Sequence, residues 1–445
     1  MQFSVPDYVE KALSSLREAG YEACLVGGCV RDDLMGVRPH DYDVATDARP
    51  EEIRRVFLAR ELILDGEKHG TVTPVIDRHP VEITSFRADG DYLDGRHPES
   101  VRFTSSLEED LARRDFTVNA MAFDPVRGLT DPFGGREDIE KGVIRCVGEP
   151  EARFREDALR ILRAMRFASR LGFTIEAQTA GAMHDLRERL RLISRERIAA
   201  ELTGVLTGRN AAQVLDEFHD VLFEVVPELF PLYHCPQKSV YHIYDVWEHT
   251  LHVVDQIAPR TPVNVWSALL HDCAKPQTRV RDRKGQDHYP AHQQTGARLA
   301  GVILRSLKMS NALTEDVQTL ITYHDDELTP ETVRLALSRV TPRLFDSLAA
   351  LRRADLLAHA PQIALRAASL NAVLAERDRV LREGLCYDLK GLAVHGGELS
   401  ALGYHGPELG RELDSLLNEV LRGRLPNDRE ALLKKARLDL PDTVR

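Results

Sequence analysis

Leu25-Val-Gly-Gly-Cys-Val-Arg-Asp-Asp-Leu-Met-Gly-Val-Arg-Pro-His-Asp-Tyr-Asp-Val-Ala45 is the stretch from which the rest of the chain is read. Apolar Ala23 to Val26 predicts a short strand, Gly27-Gly28 a turn, Val30 to Met35 a helical turn, and Asp41-Tyr42-Asp43-Val44 a second strand. Side chains two apart in a strand share a face, so Asp41 and Asp43 are expected to present two carboxylates about 7 Å apart along the backbone. Two such carboxylates repel unless a divalent cation joins them, and oxygen ligands of this kind suit Mg²⁺. A Gly-Gly turn opening into a helix lets backbone N–H groups approach an anion, with Arg31 in reach. A phosphate cradle beside a carboxylate metal site points to nucleotidyl transfer. Each motif alone would equally describe a simple turn and a solvated strand edge.

In that order, Gly27-Gly28-x-Val30-Arg31-Asp32 followed by Asp41-x-Asp43 resembles the head of class II tRNA nucleotidyltransferases, the CCA-adding enzymes, and of the related bacterial poly(A) polymerases. The resemblance implies a head of the DNA polymerase beta superfamily in which Asp41 and Asp43 hold Mg²⁺ and Gly27, Gly28 and Arg31 hold a triphosphate. It also implies CTP and ATP as substrates and tRNA as the partner.

The 445 residues are too many for one core, and 43% hydrophobic with 29% charged residues describes a water-soluble globular chain. No apolar run approaches the length of a membrane span, and MQFSVPDYVEKAL carries neither a basic n-region nor an apolar h-region, so a cytoplasmic location is expected. The six cysteines contain no CxxC pair, which points to neither a disulfide framework nor a thiolate zinc site. A net charge of −11 argues against coating nucleic acid by general positive charge, so RNA must meet a local basic face. Nothing in the sequence implies an obligate protein partner.

Asp7 to Ala19 predicts a helix ended by Gly20, and Pro50 suits the first turn of another. Leu62 to Leu64, Thr71 to Ile76 and Val81 to Phe86 predict strands. Glu82 alternates with apolar neighbours, and the resemblance implies that it is a third catalytic carboxylate; an edge-strand surface glutamate is the alternative. Ala88 to Arg102 is a Gly-, Asp- and Pro-rich loop. It matches a family loop that switches the site from adding C to adding A, and its full length, with Arg96 and Pro98, implies complete CCA addition. Arg113-Arg114-Asp115-Phe116-Thr117-x-Asn119-Ala120 is similar to the family motif beside the ribose. There Asp115 would accept from ribose hydroxyls, Arg114 would meet phosphate, and Asn119 would join the nucleotide site. Asp131-Pro-Phe-Gly-Gly-Arg is assigned to structure rather than chemistry.

Arg153 to Ala168 is expected to form one long amphipathic helix with Leu159, Leu162, Met165 and Phe167 facing a core. At spacings of three, Asp157, Arg160 and Arg163 would share a face, either as an ion-pair row or as a device for reading a base. A carboxylate accepts from an exocyclic amino group and a guanidinium donates to a ring nitrogen or carbonyl, so Asp157 and Arg160 together can imitate a Watson–Crick edge. Glu156-Asp157-x-x-Arg160 is similar to the family motif that performs this selection. The surrounding arginines, including Arg166, Arg170, Arg187, Arg191, Arg195 and Arg197, thicken the positive charge and are candidates for phosphate contacts.

His249, His271-Asp272 at the end of an apolar run, and Asp355 resemble the ligand set of the HD superfamily of metal-dependent phosphohydrolases, with His292 and His324 extending it. Mixed imidazole and carboxylate ligation suits a divalent transition metal that activates water for attack on a phosphate ester. Beyond this region, Ser400 to Arg411 is expected to form a hairpin between helices, similar to family tails that grip tRNA.

The fold class expected is α+β: a small mixed-sheet nucleotidyltransferase head over 1–148, then an all-α neck over 149–238, an HD region over 239–365 and a helical tail over 366–445. The expected function is template-independent addition of CCA to the 3′ end of tRNA, with an associated phosphohydrolase. Rival readings are a CC-adding or A-adding partial enzyme, a poly(A) polymerase, or an HD nucleotide phosphohydrolase whose head binds a regulatory nucleotide.

Overall fold

The computed structural model describes residues 3, 5–67, 70–89 and 101–440, and the chain divides into two compact units, 1–227 and 228–445. Arg96 and Pro98, and with them most of the loop read as the C-to-A switch, lie outside the described residues.

The first unit begins with α1 (Asp7–Glu18), whose Val9, Ala12, Leu13 and Leu16 recur at helical spacing and are fully buried. There follow β1 (Ala23–Val26), α2 (Gly28–Leu34), β2 (Asp43–Thr46), α3 (Pro50–Val56), β3 (Leu62–Ile63), β4 (Thr71–Ile76), β5 (His79–Pro80), β6 (Glu82–Ser85), β7 (Arg87–Asp89) and β8 (Val101–Phe103). Then come α4 (Leu107–Ala112), β9 (Ala122–Asp124), β10 (Gly128–Thr130), α5 (Gly135–Lys141) and β11 (Val143–Ile144). The main sheet runs β10-β9-β1-β2-β6-β4-β3, with β5 paired to β4. It is mixed: β2 lies parallel to β6, while β1 with β2, β1 with β9, and β4 with β6 are antiparallel.

Both faces of the central strands are covered, which is why they read as unbroken apolar runs. Ala23, Leu25 and Val44 enter a core with α1, whereas Cys24, Val26 and Ala45 enter a second cluster with Phe86 and Leu111. The second strand differs from its expectation: β2 starts at Asp43, so Asp41 precedes the strand and does not share a strand face with Asp43. Pairing sets that limit, because the β1 register ends with Val26 opposite Asp43, and Gly27 turns the chain away.

The rest of the first unit is helical apart from a short strand: α6 (Pro150–Glu156), α7 (Leu159–Leu171), β12 (Thr174–Ile175), α8 (Ala177–Leu186), α9 (Arg195–Leu206), α10 (Ala211–Glu217) and α11 (His219–Val225). The long helix expected from Arg153 to Ala168 is two helices. Asp157 is extended (φ −144°, ψ 104°), and its Oδ1 accepts the Leu159 N–H at 3.0 Å. A short carboxylate that caps a neighbouring amide in this way competes with the helical path. The apolar assignment within α7 holds, since Leu159, Leu162, Met165 and Phe167 are all buried.

In the second unit come α12 (Val246–Gln256), α13 (Pro262–Leu270), α14 (Lys275–Thr278), the hairpin of β13 (Val280–Arg281) and β14 (Asp287–His288), α15 (His292–Ser306), α16 (Asn311–Tyr323) and α17 (Val333–Leu357). Next are α18 (Pro361–Ala364), α19 (Leu370–Glu383), α20 (Gly396–Ala401), α21 (Gly406–Leu421) and α22 (Arg429–Asp439). The last three pack around Leu399, Tyr404, Leu416 and Leu432, and residues 402–405 link α20 to α21. Among the described residues, no helix is long and apolar enough to cross a membrane. All six cysteines are free and buried.

Candidate nucleotide site and candidate metal centre

The sheet topology carries three predicted elements to one end of its central strands. Gly27 follows the last residue of β1, Asp43 opens the antiparallel β2 opposite Val26, and Glu82 opens β6 in parallel register with Asp43. Gly27 has φ +76°, a left-handed conformation that the turn reserves for glycine, and the Arg114 guanidinium packs beside it.

Desolvation raises the Asp43 carboxyl above its ordinary value, Glu82 adds to the rise, Arg114 opposes it, and Asp41 pushes it up further. Carboxylates are the donors Mg²⁺ prefers, so Asp41, Asp43 and Glu82 suit it by chemistry; among the described residues, the groups whose ligand atoms converge within 4.8 Å are those of the second unit and not these three acids.

Asp43 lines a cavity of about 450 Å³ together with Gly27, Gly28, Arg31, Arg114, Asp115 and Asn119 from the head. Asp157, Arg160 and Arg163 line the same cavity from the helical side. Thus ten of the twelve residues read from sequence meet in one cleft; Asp41 and Glu82 act on it through Asp43.

Within it, Arg31 Nη1 donates to Asn119 Oδ1 at 2.7 Å and the Arg31 guanidinium also holds Asp32 at 2.7 Å. Asp115 accepts from the Phe116 N–H at 2.9 Å and from Arg163 Nε at 2.8 Å. Burial alone would raise the Asp115 carboxyl; Arg163, Arg160 and Asn119 outweigh it and hold it below the ordinary range. The ion-pair row imagined along one helix face does not form. Asp157 pairs with Arg197 on α9 at 2.7 Å, Arg160 with Glu156 at 2.5 Å, and Arg163 with Asp115 at 2.6 Å. Sequence reasoning missed Arg113 and Phe167 as cavity-lining residues and left Arg197 among generic cations. Phe167 was read as core, yet the guanidiniums of Arg31, Arg163 and Arg166 sit 5.4, 5.5 and 4.4 Å from its ring centre. Several arginines read as free charge are spoken for: Arg166 holds Glu201, Arg191 holds Glu224, and Arg195 donates to the Val225 carbonyl.

The Asp131 motif is structural as expected. Its carboxylate accepts the N–H groups of Gly135 and Arg136, and a Cβ at Gly135 would lie 2.2 Å from the Thr117 carbonyl oxygen.

The second unit holds a separate cluster. His249, His271 and Asp355 form one set of converging ligand atoms; Asp272, His292 and His324 form another. Asp272 links them, with Oδ2 3.1 Å from His271 Nε2 and 3.5 Å from His249 Nε2, and Oδ1 3.6 and 3.8 Å from the Nε2 atoms of His292 and His324. Each imidazole is turned by a backbone carbonyl: Nδ1 of His249, His271, His292 and His324 meets the oxygens of Ala358, Ala268, Tyr289 and Ile321 at 3.3, 2.8, 2.9 and 2.7 Å. An Nδ1–H bonded in this way leaves the Nε2 lone pair facing inward, as metal ligation requires. Asp272 Oδ1 is buried without a hydrogen-bond donor, a second sign that the group fits a cation. Lys275 stands 2.6 Å from Asp272 Oδ2.

Residues 23–145 match the "Poly A polymerase head domain", 172–232 the "Probable RNA and SrmB- binding site of polymerase A", and 293–436 the "tRNA nucleotidyltransferase domain 2 putative". A CCA-adding enzyme of Lactobacillus helveticus is 37% identical over 325 residues, covering 72% of this chain and 73% of that protein. This chain belongs to the CCA-adding enzyme family.

Other curated members align over a smaller part. A CCA-adding enzyme of Ligilactobacillus salivarius is 44% identical over 246 residues, 54% of this chain and 60% of the relative. For the Geobacillus thermodenitrificans member the aligned part spans 51% of the relative, so the chain matches little more than half the length of several of these CCA-adding enzymes. Solved CCA-adding enzymes share the fold along the whole chain. The Bacillus stearothermophilus enzyme in complex with CTP aligns with a TM-score of 0.73 at 29% identity, over 97% of this chain and 98% of that one. The Thermotoga maritima enzyme complexed with tRNA_CCA aligns with a TM-score of 0.63 at 19% identity, over 99% and 97%, a likeness of fold.

Proposed function

We propose that the chain is a Mg²⁺-dependent nucleotidyltransferase that adds CCA to the 3′ end of tRNA from CTP and ATP, without a nucleic-acid template. The carrying observation is one cavity in which Asp43 and the Gly27-Gly28 turn stand with Asp157 and Arg160. Membership of the CCA-adding family and likeness to a relative solved with CTP support the same reading. In it, residues 1–148 are the catalytic head, 149–238 the neck that reads the base, 239–365 the HD region and 366–445 the tRNA-binding tail.

The roles follow from donor chemistry. Gly27 and Gly28 amides with Arg31 and Arg114 bind the triphosphate. Asp115, kept ionised by Arg163, accepts from the ribose hydroxyls, and Asn119 holds Arg31 in place. Asp157 and Arg160 select bases bearing an amino group beside an acceptor. Asp41, Asp43 and Glu82 would hold Mg²⁺, which supplies charge stabilisation at the attacking and leaving oxygens.

The test is a tRNA lacking its CCA end, offered CTP and ATP singly and together, with products sequenced. CC from CTP alone and CCA from both is the expected result. A product stopping at CC, a single A on a CC end only, or a long A tail would replace this reading with one of its family rivals.

The paired ligand sets of the second unit favour a further activity, a metal-dependent phosphohydrolase acting on nucleotides or RNA ends through His249, His271, Asp272, His292, His324 and Asp355. Protein freed of metal and reloaded with Mn²⁺, Co²⁺ or Ni²⁺ is expected to hydrolyse 2′,3′-cyclic nucleotides or phosphate monoesters. Absence of hydrolysis with every metal would remove the activity from this account.

A further inference from the structure

We propose that Phe167 is a positioning residue for nucleotide transfer, its ring holding Arg31 and Arg163 in place and so tying the triphosphate clamp to the ribose clamp; this rests on the reading of the cavity as the nucleotide site.

Phe167 stands on α7 with 8% of its surface exposed, and it borders the cavity that Asp43 also lines. Three guanidiniums gather at its ring: Arg166 lies 4.4 Å from the ring centre, Arg31 5.4 Å and Arg163 5.5 Å. Filling a core needs no cation near the ring. The negative face of an aromatic ring attracts cations, most strongly where water is scarce. Each of the three is also paired with an acid. Arg31 donates to Asp32 at 2.7 Å, Arg163 to Asp115 at 2.8 Å and Arg166 to Glu201 at 2.5 Å.

The three guanidiniums do different work. Arg166 is an anchor, since Glu201 of α9 holds its head and its stem runs close over Gly204, where a Cβ would lie 2.3 Å from Arg166 Cδ. Arg31 and Arg163 instead line the cavity. Arg31 comes from α2 and donates to Asn119 at 2.7 Å; Arg163 precedes Phe167 by one helical turn and fixes Asp115, which faces the ribose in this reading. Phe116, the neighbour of Asp115, meets the Phe167 ring edge-on, with centres 5.8 Å apart and planes at 78°. That contact sets the plane of the ring. A ring so held fixes both cavity-lining arginines at once, and a side chain of equal bulk without a π face would hold neither.

The experiment uses the full chain and tRNA ending before CCA, with steady-state kinetics on CTP and dCTP. Phe167→Leu keeps the apolar bulk and removes the ring. It is expected to raise KM for CTP about fivefold to thirtyfold, with the loss falling on KM rather than kcat, and to cut the CTP-over-dCTP preference by about threefold to tenfold. Phe167→Tyr keeps the ring and is expected to restore both. Parent-like KM and preference in Phe167→Leu would overturn the role, and so would a fall in kcat alone, the mark of a packing residue. Should Phe167→Leu fail to fold, phenylalanines bearing one, two and three fluorines at position 167 decide the matter, because fluorine depletes the negative face at nearly constant shape. KM is expected to climb along that series, and a flat series would overturn the role. A parent chain that incorporates no CTP would instead overturn the reading of the cavity as the nucleotide site.

Discussion

Asp43 and Glu82 stand side by side at the starts of two parallel central strands, in register, at the end of the sheet where the Gly27 turn begins. Burial first, and then repulsion from Glu82, raises the Asp43 carboxyl, which makes a definite statement about stability. An acid whose folded pKa is raised contributes stability in its protonated form, fully present below the unfolded value and lost as pH rises through the folded one. At neutral pH the Asp43 charge therefore costs stability. Asp43→Asn is expected to leave the melting temperature equal or slightly higher, by no more than about 1 kcal/mol equivalent, while nucleotide incorporation falls at least about a hundredfold. Mg²⁺ should raise the melting temperature of the parent and not of the variant, a readout in thermal denaturation that needs no turnover.

The Asp115–Arg163 pair carries the opposite sign. Asp115 has a depressed carboxyl, so its contribution is present above the unfolded pKa and lost as pH falls through the folded value. Asp115→Asn is expected to destabilise the first unit by about 1–3 kcal/mol near pH 7, below the full cost of breaking a buried pair because Arg163 keeps about a third of its side chain in solvent. The gap between parent and variant should narrow below about pH 4, where unfolded aspartate protonates. Denaturant titrations across that range measure it.

Asp272 belongs to the ligand set of His292 and His324, and its Oδ2 also lies 3.1 Å from His271 Nε2 in the other set. Asp272→Ala is expected to abolish tight binding of transition metal, while His292→Ala, which touches one set only, should weaken one ion at least about tenfold and spare the other. Metal content after dialysis, read by elemental analysis, distinguishes the two variants.

Gly135 tests packing rather than chemistry. A methyl group there meets the Thr117 carbonyl at 2.2 Å, backbone that cannot swing aside. Gly135→Ala is expected to cost about 3 kcal/mol, the upper end of overpacking, with a matching fall in the denaturation midpoint.

The local signals in the chain were strong where one segment decides its own geometry. The turn at Gly27-Gly28, the apolar spacing of α1 and the run before His271 were each readable because backbone freedom and hydrophobic period act over a few residues. The strand expected at Asp41 and the continuous helix expected through Asp157 differ from the structure for the same reason. Whether a residue continues a strand or helix depended on partners elsewhere: the end of the β1 register for Asp41, and the carboxylate cap and distant Arg197 for Asp157.

By itself the sequence determined which residue types were available and in what local elements they sit: the apolar strands, the glycine turn, the acids, the histidines on and beside apolar helices. Tertiary structure decided their company. It placed Glu82 beside Asp43, turned four imidazoles inward through carbonyls from their own or distant segments, and paired Asp157 with Arg197 rather than with Arg160 or Arg163. Hydrogen bonding and charge pairing act over a few ångströms of space, and only the folded chain sets which residues lie that close.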